Sequence, residues 1–223
     1  MASHLDLEEQ EQLDELKHFW KRWGDLITWV LIAVLGGYAT WMGWQSYSSK
    51  QAAQSAALYD TVERAAMGAD MALLDRSVAD IKDKFASTTY AQQAALLAAR
   101  VYQDKNRNAD AKAQLTRVVD KASDEGYQAL ARLRLASLLI DDKAYDAARQ
   151  QLSAKTPEAF APLMADRLGD LAMLQSQPDQ AVQHYKNAWK GFEPNAEYRR
   201  LVAVKLAALG ADPEETPVAE SKK

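Results

Sequence analysis

The longest uninterrupted hydrophobic segment of the chain lies near its N-terminus. No Asp, Glu, Lys, Arg or His occurs between Leu26 and Ser49, and the segment from Leu26 to Trp44 is apolar or weakly polar throughout. As an α-helix, a segment of this length is about 28 Å long, close to the ~30 Å of bilayer hydrocarbon. Tryptophans, which prefer the headgroup level, mark both ends: Trp20, Trp23, Trp41 and Trp44. The pattern predicts a single transmembrane helix over residues 25–48.

Two other interpretations of this segment compete with a membrane span: a buried core helix and a cleaved signal peptide. Core helices seldom continue this far without a charge. A signal peptide has a basic start and an apolar run of about 7 to 15 residues. Here seven acidic residues precede the run, at positions 6, 8, 9, 11, 14, 15 and 25. Ala53 and Ser55 nevertheless resemble a cleavage site, so the signal peptide stays an alternative.

Basic residues on the two sides of the predicted span indicate its orientation. Lys17, Lys21 and Arg22 precede it, whereas Lys50 and Arg64 are the nearest basic residues after it. The positive-inside rule therefore favours a cytoplasmic N-terminus and an external C-terminal domain, which in a bacterium lies in the periplasm.

Residues 1–24 are predicted to form an acidic cytoplasmic arm. Leu13, Leu16, Trp20 and Trp23 recur at helical spacing, which indicates a short amphipathic helix at the membrane surface. The acidic residues before Leu13 fit either a contact with a basic cytoplasmic surface or a solvated face.

One face of the predicted span carries small side chains. They recur at helical spacing: Ala33, Gly36, Thr40 and Gly43. Such a stripe allows a second transmembrane helix to approach closely, so we expect a packing face here. The alternative is the ordinary use of Gly and Ala in membrane helices.

The rest of the chain has the composition of helices. Between Lys50 and Thr156 there is no proline, only Gly68 and Gly126 interrupt an Ala-, Leu- and Gln-rich sequence, and no strand-like alternation persists. Regular breaks predict helical hairpins, so the expected fold is all-α. We assign residues 49–89 to a stalk and first hairpin, residues 90–210 to repeats with a capping helix that begins at Asn195, and residues 211–223 to a disordered tail.

Small residues recur within the hairpins at a constant spacing. Three pairs have the same separation: Ala99 with Ala111, Ala136 with Ala148, and Gly169 with Ala181. A larger side chain, Leu115, Leu152 or Tyr185, follows the first member of each pair, again at one constant separation. This pattern resembles the tetratricopeptide repeat, in which small residues let the two helices of a hairpin pack closely. The pairs also follow one another at intervals near the repeat length of that family, roughly 34 residues.

Composition excludes several classes of chemistry. The chain has no cysteine and three histidines, and two of these precede the predicted span. A net charge of −4 offers no basic field for nucleic acid. Asp166 and Asp170 share a helical face, which we interpret as a solvated polar face and not as a catalytic dyad. We therefore predict no enzymatic activity, no catalytic residue, no metal, no cofactor and no nucleic-acid partner.

The resemblance to tetratricopeptide repeats implies a concave groove lined by the first helix of each hairpin. Carried over onto this chain, the groove positions are Gln93, Leu96, Arg100, Gln103, Leu130, Leu133, Ser137, Ile140, Leu163, Asp166, Asp170 and Met173. The candidate groove residues that we select are Leu130, Leu133, Ile140, Leu163, Asp166, Asp170 and Met173. Their apolar members suit an amphipathic or extended apolar segment of a partner, or alternatively fill the core.

The assembled pattern resembles the YfgM family, the ancillary subunits of the bacterial SecYEG translocon. The resemblance covers nearly the whole chain: an acidic arm including Leu7–Leu13, a basic and aromatic segment Lys17–Gly24, one span, a stalk, and divergent repeats including Ala165–Asp170. It implies an inner-membrane protein with a periplasmic domain, which works beside a membrane-anchored periplasmic peptidyl-prolyl isomerase-like chaperone on polypeptides emerging from the translocon.

The expected function is therefore that of a non-enzymatic adaptor. Its partners would be the lipid bilayer, the SecYEG translocon, the chaperone and unfolded client polypeptides. A scaffold of a cell-envelope or division complex is the alternative, because repeats on a single-span anchor also occur there. A remote third option is the sequestering of a cytoplasmic response regulator by the acidic arm.

Overall fold

The structure, a computed structural model, describes residues 7–211 and 213, with the side chains described from Leu13 onward. The predicted tail beyond these residues and the proposed contact through the acidic residues before Leu13 lie outside the described part. Every regular element in that part is helical, so the predicted all-α class is confirmed. The chain divides into two compact units, Met1–Ala53 and Gln54–Lys223.

Nine α-helices and one 3-10 turn make up the described residues. The α-helices are α1 (Leu7–Met67), α2 (Met71–Phe85), α3 (Thr89–Asp104), α4 (Asn108–Lys121), α5 (Glu125–Asp141), α6 (Tyr145–Leu152), α7 (Ala161–Leu174), α8 (Pro178–Gly191) and α9 (Glu197–Ala208). The 3-10 turn, Glu158–Phe160, precedes α7. From α2 onward each helix packs against the next one in the chain, which is the arrangement of an α-solenoid.

The turns between the paired helices repeat more regularly than the sequence does. Ala69, Asn106, Lys143 and Ser176 all have a positive φ, between 52° and 59°, and each lies about one repeat length after the one before it. In each turn the next residue donates its N–H to a carbonyl five positions earlier, as Arg107 does to Tyr102 at 2.7 Å. This left-handed termination satisfies carbonyls at the helix end. The first hairpin, which lacks the small-residue signature, therefore shares the turn of the repeats.

Side-chain hydrogen bonds cap the N-termini of some of the helices. The carboxylate of Asp70 accepts from the N–H of Leu73 at 3.0 Å, and that of Asp124 accepts from the N–H of Tyr127 at 3.0 Å. The capping helix begins at Glu197, slightly later than the predicted Asn195. It ends before Gly210, which has a φ of 69°.

Buried side chains form three clusters along the solenoid. The first extends from Val62 and Ala65 of α1 to Leu138 of α5. The second joins α5, α6 and α7, and the third joins α7, α8 and α9 around Tyr185. Each cluster lies between helices that are neighbours in the chain.

Candidate interaction surfaces

One helix in the described part, α1, is long and apolar enough to cross a membrane. The apolar side chains of residues 26–44 are largely exposed; Trp29, for example, is 71% exposed. The hydroxyls of Thr28 and Thr40 donate to the carbonyls of Gly24 and Gly36, both at 2.8 Å, so each hydroxyl is bonded within the helix itself. This is the arrangement that a lipid environment requires.

The predicted packing face of the span is an open surface. Ala33, Gly36, Thr40 and Gly43 are exposed. A Cβ added to Gly36 or Gly43 would meet no other described atom within 4 Å, apart from the backbone of the helix itself. The geometry leaves room for a second helix.

All six predicted repeat-packing residues are buried. The residues are Ala99, Ala111, Ala136, Ala148, Gly169 and Ala181. The closest approach is at Gly169, where a Cβ would lie 2.4 Å from Cε1 of Tyr185. The members of each pair lie on the two helices of one hairpin, α3 with α4, α5 with α6, and α7 with α8. At Gly169 the ring of Tyr185 leaves no space for a side chain between α7 and α8.

The candidate groove residues divide into two sets. Leu130, Leu133, Ile140 and Leu163 are half-buried, and the first three pack against the core clusters. Met173, in contrast, is 40% exposed near the end of α7. Leu130, Leu133 and Ile140 therefore contribute to the core while part of each side chain stays accessible.

Asp166 belongs to a buried network and not to a solvated face. Its side chain is fully buried; one carboxylate oxygen lies 2.7 Å from Nζ of Lys205, and the other accepts from the hydroxyl of Tyr198 at 2.8 Å. The interpretation of Asp166 as solvated is wrong, because α9 covers it. The sequence spacing gives no indication of which residue of the capping helix reaches α7.

Asp170 extends the same network towards the surface. Its Oδ1 lies 2.7 Å from Nζ of Lys205 and accepts from the hydroxyl of Tyr185 at 2.8 Å, while Oδ2 accepts from Arg167 at 3.0 Å. Burial, and then the hydrogen bond to Asp166, raises the pKa of Tyr198 to about 12. Burial and the bond to Asp170 likewise raise the pKa of Tyr185. Both tyrosines are therefore neutral donors at physiological pH, and the network fastens α9 to α7.

Polar contacts also join α3 and α5. Nε2 of Gln93 donates to the hydroxyl of Tyr127 at 2.7 Å, and Nη1 of Arg134 donates to the carbonyl of Leu96 at 3.2 Å. Burial, and then the positive charge of Arg100, lowers the pKa of Arg134. Tyr127 and Arg134 are absent from the predicted groove positions: Arg134 directly follows Leu133, and Tyr127 lies three residues before Leu130.

No group of three or more His, Asp or Glu side chains that could hold a metal occurs within the described ranges. His184, on α8, is half-buried. Burial, and then the charge of Arg149, lowers its pKa.

The fold and these surfaces define a helical-repeat protein that carries a helix able to span a membrane. Residues 17–211 match the family model described as a tetratricopeptide repeat-like domain. The chain belongs to the family of ancillary SecYEG translocon subunits.

Three relatives carry that name. The protein of Neisseria gonorrhoeae (strain ATCC 700825 / FA 1090) is 32% identical over 210 residues, which cover 94% of this chain and 100% of the relative. The Haemophilus influenzae protein (strain ATCC 51907 / DSM 11121 / KW20 / Rd) is 26% identical over 182 residues, 82% of this chain and 89% of its own. That of Escherichia coli (strain K12) is 28% identical over 185 residues, 82% of this chain and 85% of its own.

Proposed function

We propose that the chain is a non-enzymatic, membrane-anchored adaptor at the SecYEG translocon. The observation that carries the proposal is the 32% identity to an ancillary SecYEG translocon subunit over the entire length of that relative. Because the similarity includes both the apolar helix and the repeats, it supports a shared architecture and a shared place of action. α1 anchors the protein in the inner membrane, with the N-terminus in the cytoplasm and the repeats in the periplasm.

The repeat domain binds a membrane-anchored periplasmic peptidyl-prolyl isomerase-like chaperone, emerging polypeptides, or both. The half-buried leucines and Met173 on the inner face support this role, because apolar side chains that keep one side exposed suit a partner's apolar segment. The open stripe from Ala33 to Gly43 supports a second contact, with a transmembrane helix of the translocon.

Site-specific photocrosslinking in membranes tests the proposal. A photoreactive phenylalanine analogue replaces Leu133, Leu163 or Met173 on the inner face, and the matched controls replace Thr116 and Gln150, which are exposed on α4 and α6. We expect adducts to the translocon, the chaperone or nascent chains from the inner-face positions alone. Adducts to cell-wall or division proteins instead would favour a scaffold of an envelope complex.

Protease treatment of intact spheroplasts tests the orientation. With the repeats in the periplasm, added protease removes the part of the chain after the span while an epitope at the N-terminus stays protected. A C-terminal domain that survives until the membrane is permeabilised would contradict the proposal.

A further inference from the structure

The side chain of Gln92 is buried and has no hydrogen-bond partner among the described residues. Gln92 lies in the first turn of α3 and is 5% exposed, and neither Oε1 nor Nε2 of its carboxamide is paired. Ser77 and Asp166, which are also buried, both have partners. Nearly all buried polar side chains in native proteins are hydrogen-bonded, because an unpaired one loses its contact with water and gains nothing in exchange. Gln92 therefore requires a partner from outside the described chain.

A second buried polar atom without a described partner belongs to Arg117, on α4. The guanidinium donates through Nη2 to Oε1 of Gln114 at 3.0 Å, whereas its Nε is buried and has no described acceptor. Gln92 lies near the start of α3 and Arg117 near the end of α4. Because the two helices form one hairpin, they run antiparallel, and both residues line the same small cavity at one end of that hairpin.

The size and the polarity of this cavity limit what it can hold. Its volume is about 10 Å³, which is close to the smallest space that accommodates one water molecule. The charged residues among the described ones that line it are Arg117 and Lys121, so a cation is disfavoured. An anion would accept hydrogen bonds from Arg117 and from Nε2 of Gln92, but it would leave Oε1, which is an acceptor, without a donor. The three unpaired atoms therefore require one small neutral molecule that both donates and accepts.

We propose that Gln92 and Arg117 bind a single internal water molecule between α3 and α4. Water both donates and accepts, so one molecule can accept from Nε2 and donate to Oε1 of the same carboxamide in a closed ring of two hydrogen bonds. Its second lone pair accepts from Nε of Arg117. These three hydrogen bonds satisfy every unpaired atom of the site, and three is the number that a buried water typically makes. The water joins the two helices at the end of the hairpin opposite the turn at Asn106.

A crystal structure of the full chain, solubilised in detergent and solved at a resolution that shows internal waters, is the direct test. We expect one peak of density within hydrogen-bond distance of Nε of Arg117 and of both polar atoms of the Gln92 carboxamide. A crystal grown in bromide gives an anomalous peak if the occupant is a halide. Such an anomalous peak, a cavity with no peak, or a Gln92 side chain turned towards solvent would each overturn the proposal.

A double-mutant cycle on the full chain in detergent micelles tests whether the water couples the two side chains. Methionine is close to glutamine in size and has no strong hydrogen-bonding group, so Gln92→Met removes the carboxamide with little change in volume. We expect Gln92→Met to shift the unfolding equilibrium towards the unfolded state at least about threefold more in the unaltered protein than in a protein that carries Arg117→Met. The bond between Arg117 and Gln114 is lost in both Arg117→Met proteins and cancels in the comparison.

Gln103→Met supplies the matched control, because Gln103 is exposed on the same helix. Its effect should be the same with and without Arg117→Met. Equal effects of Gln92→Met in the two backgrounds would overturn the proposal. Coupling without a water peak in the cavity would also overturn it, because the coupling would then come from direct contact between the two side chains. Neither measurement involves a partner of the repeats, so both are independent of the adaptor function.

Discussion

The ring of Tyr185 lies directly against the α-carbon of Gly169. A Cβ at Gly169 would be 2.4 Å from Cε1 and 2.5 Å from Cδ1 of that ring, closer than real contacts allow. In the two preceding repeats the equivalent positions hold Ala99 with Leu115, and Ala136 with Leu152. The size of the residue on the first helix is thus matched to the size of its partner on the second: glycine where the partner is aromatic, and alanine where it is leucine.

The methyl group added by Gly169→Ala forces α7 and α8 apart or moves the Tyr185 ring, and the 2.4 Å contact places this overpacking cost at about 2 to 3 kcal/mol. Alanine returns about 1 kcal/mol of helix propensity, so the net destabilisation is expected to be about 1 to 2 kcal/mol. Equilibrium unfolding of the full chain in detergent, followed by circular dichroism, measures the change.

In a protein that already carries Tyr185→Leu, Gly169→Ala should increase the free energy of unfolding instead of lowering it. The smaller side chain leaves space for a methyl group, so Gly169→Ala then gains helix propensity without a clash. The lost hydrogen bond to Asp170 affects both Leu variants equally and cancels in the comparison. A similar destabilisation in both backgrounds would show that Tyr185 is not the cause.

The hairpins could be predicted from the sequence because their signals are local. Glycine, polar breaks and the constant spacing of small residues all act within a single hairpin, and the structure has helix pairs at those places. The segment after Thr156 is less regular: Pro157 is extended, with a ψ of 145°, and α7 begins at Ala161 after a 3-10 turn.

The charged network and the contact between Arg134 and Leu96 could not be predicted, because their members come together from distant positions. Lys205 is 39 residues from Asp166, and Arg134 is 38 residues from Leu96. Each of these separations along the sequence is longer than one repeat. Each contact therefore depends on how successive hairpins are rotated relative to one another and not on the residue pattern within a single hairpin. The groove positions carried over from the tetratricopeptide repeat also include Asp166, and nothing in the sequence indicates that α9 covers this residue.

Lys205→Met should destabilise the protein by about 3 to 5 kcal/mol. The substitution leaves the buried carboxylate of Asp166 with the Tyr198 hydroxyl but without a described counter-charge, and an unpaired buried charge carries this cost. In this variant, amide hydrogen exchange should accelerate most in α9, because the network is one of the contacts that fasten α9 to α7. Mass spectrometry of the α9 peptides measures the local effect.

The double variant Asp166→Asn with Lys205→Met is the matched control. It removes both charges and is expected to be more stable than Lys205→Met alone, because no buried carboxylate is left unpaired. A double variant that is less stable than the single one would contradict the role assigned to the ion pair.

Lys143→Gly should stabilise the turn between α5 and α6 by about 0.5 to 1 kcal/mol. Lys143 has a φ of 59°, a conformation that is unfavourable for a residue with a Cβ and open to glycine. The free energy gained by removing this backbone strain is larger than the free energy lost because glycine has more conformational entropy in the unfolded chain. Lys105, exposed in the preceding turn with a φ of −99°, supplies the control: Lys105→Gly should lower stability. Equal effects of both substitutions would refute the argument from φ.

The pKa of His184 predicts how stability depends on pH. Burial and then the charge of Arg149 lower this pKa below 6.5 in the folded protein, whereas in the unfolded chain the residue titrates near its ordinary value of about 6.5. The unfolded state therefore takes up the proton first as the pH falls. The contribution of His184 to stability is complete above pH 6.5 and is lost as the pH drops towards the folded pKa.

His184→Gln should accordingly flatten the dependence of the unfolding free energy on pH between about 7.5 and 5.5. Arg149→Gln removes the smaller of the two causes, so it should reduce the slope only partly and raise the pKa of His184 in an NMR titration. Desolvation, the larger cause, persists in that variant, since the imidazole stays half-buried. If His184→Gln has the same slope as the unaltered chain, the loss of stability at mild acidity arises from other groups.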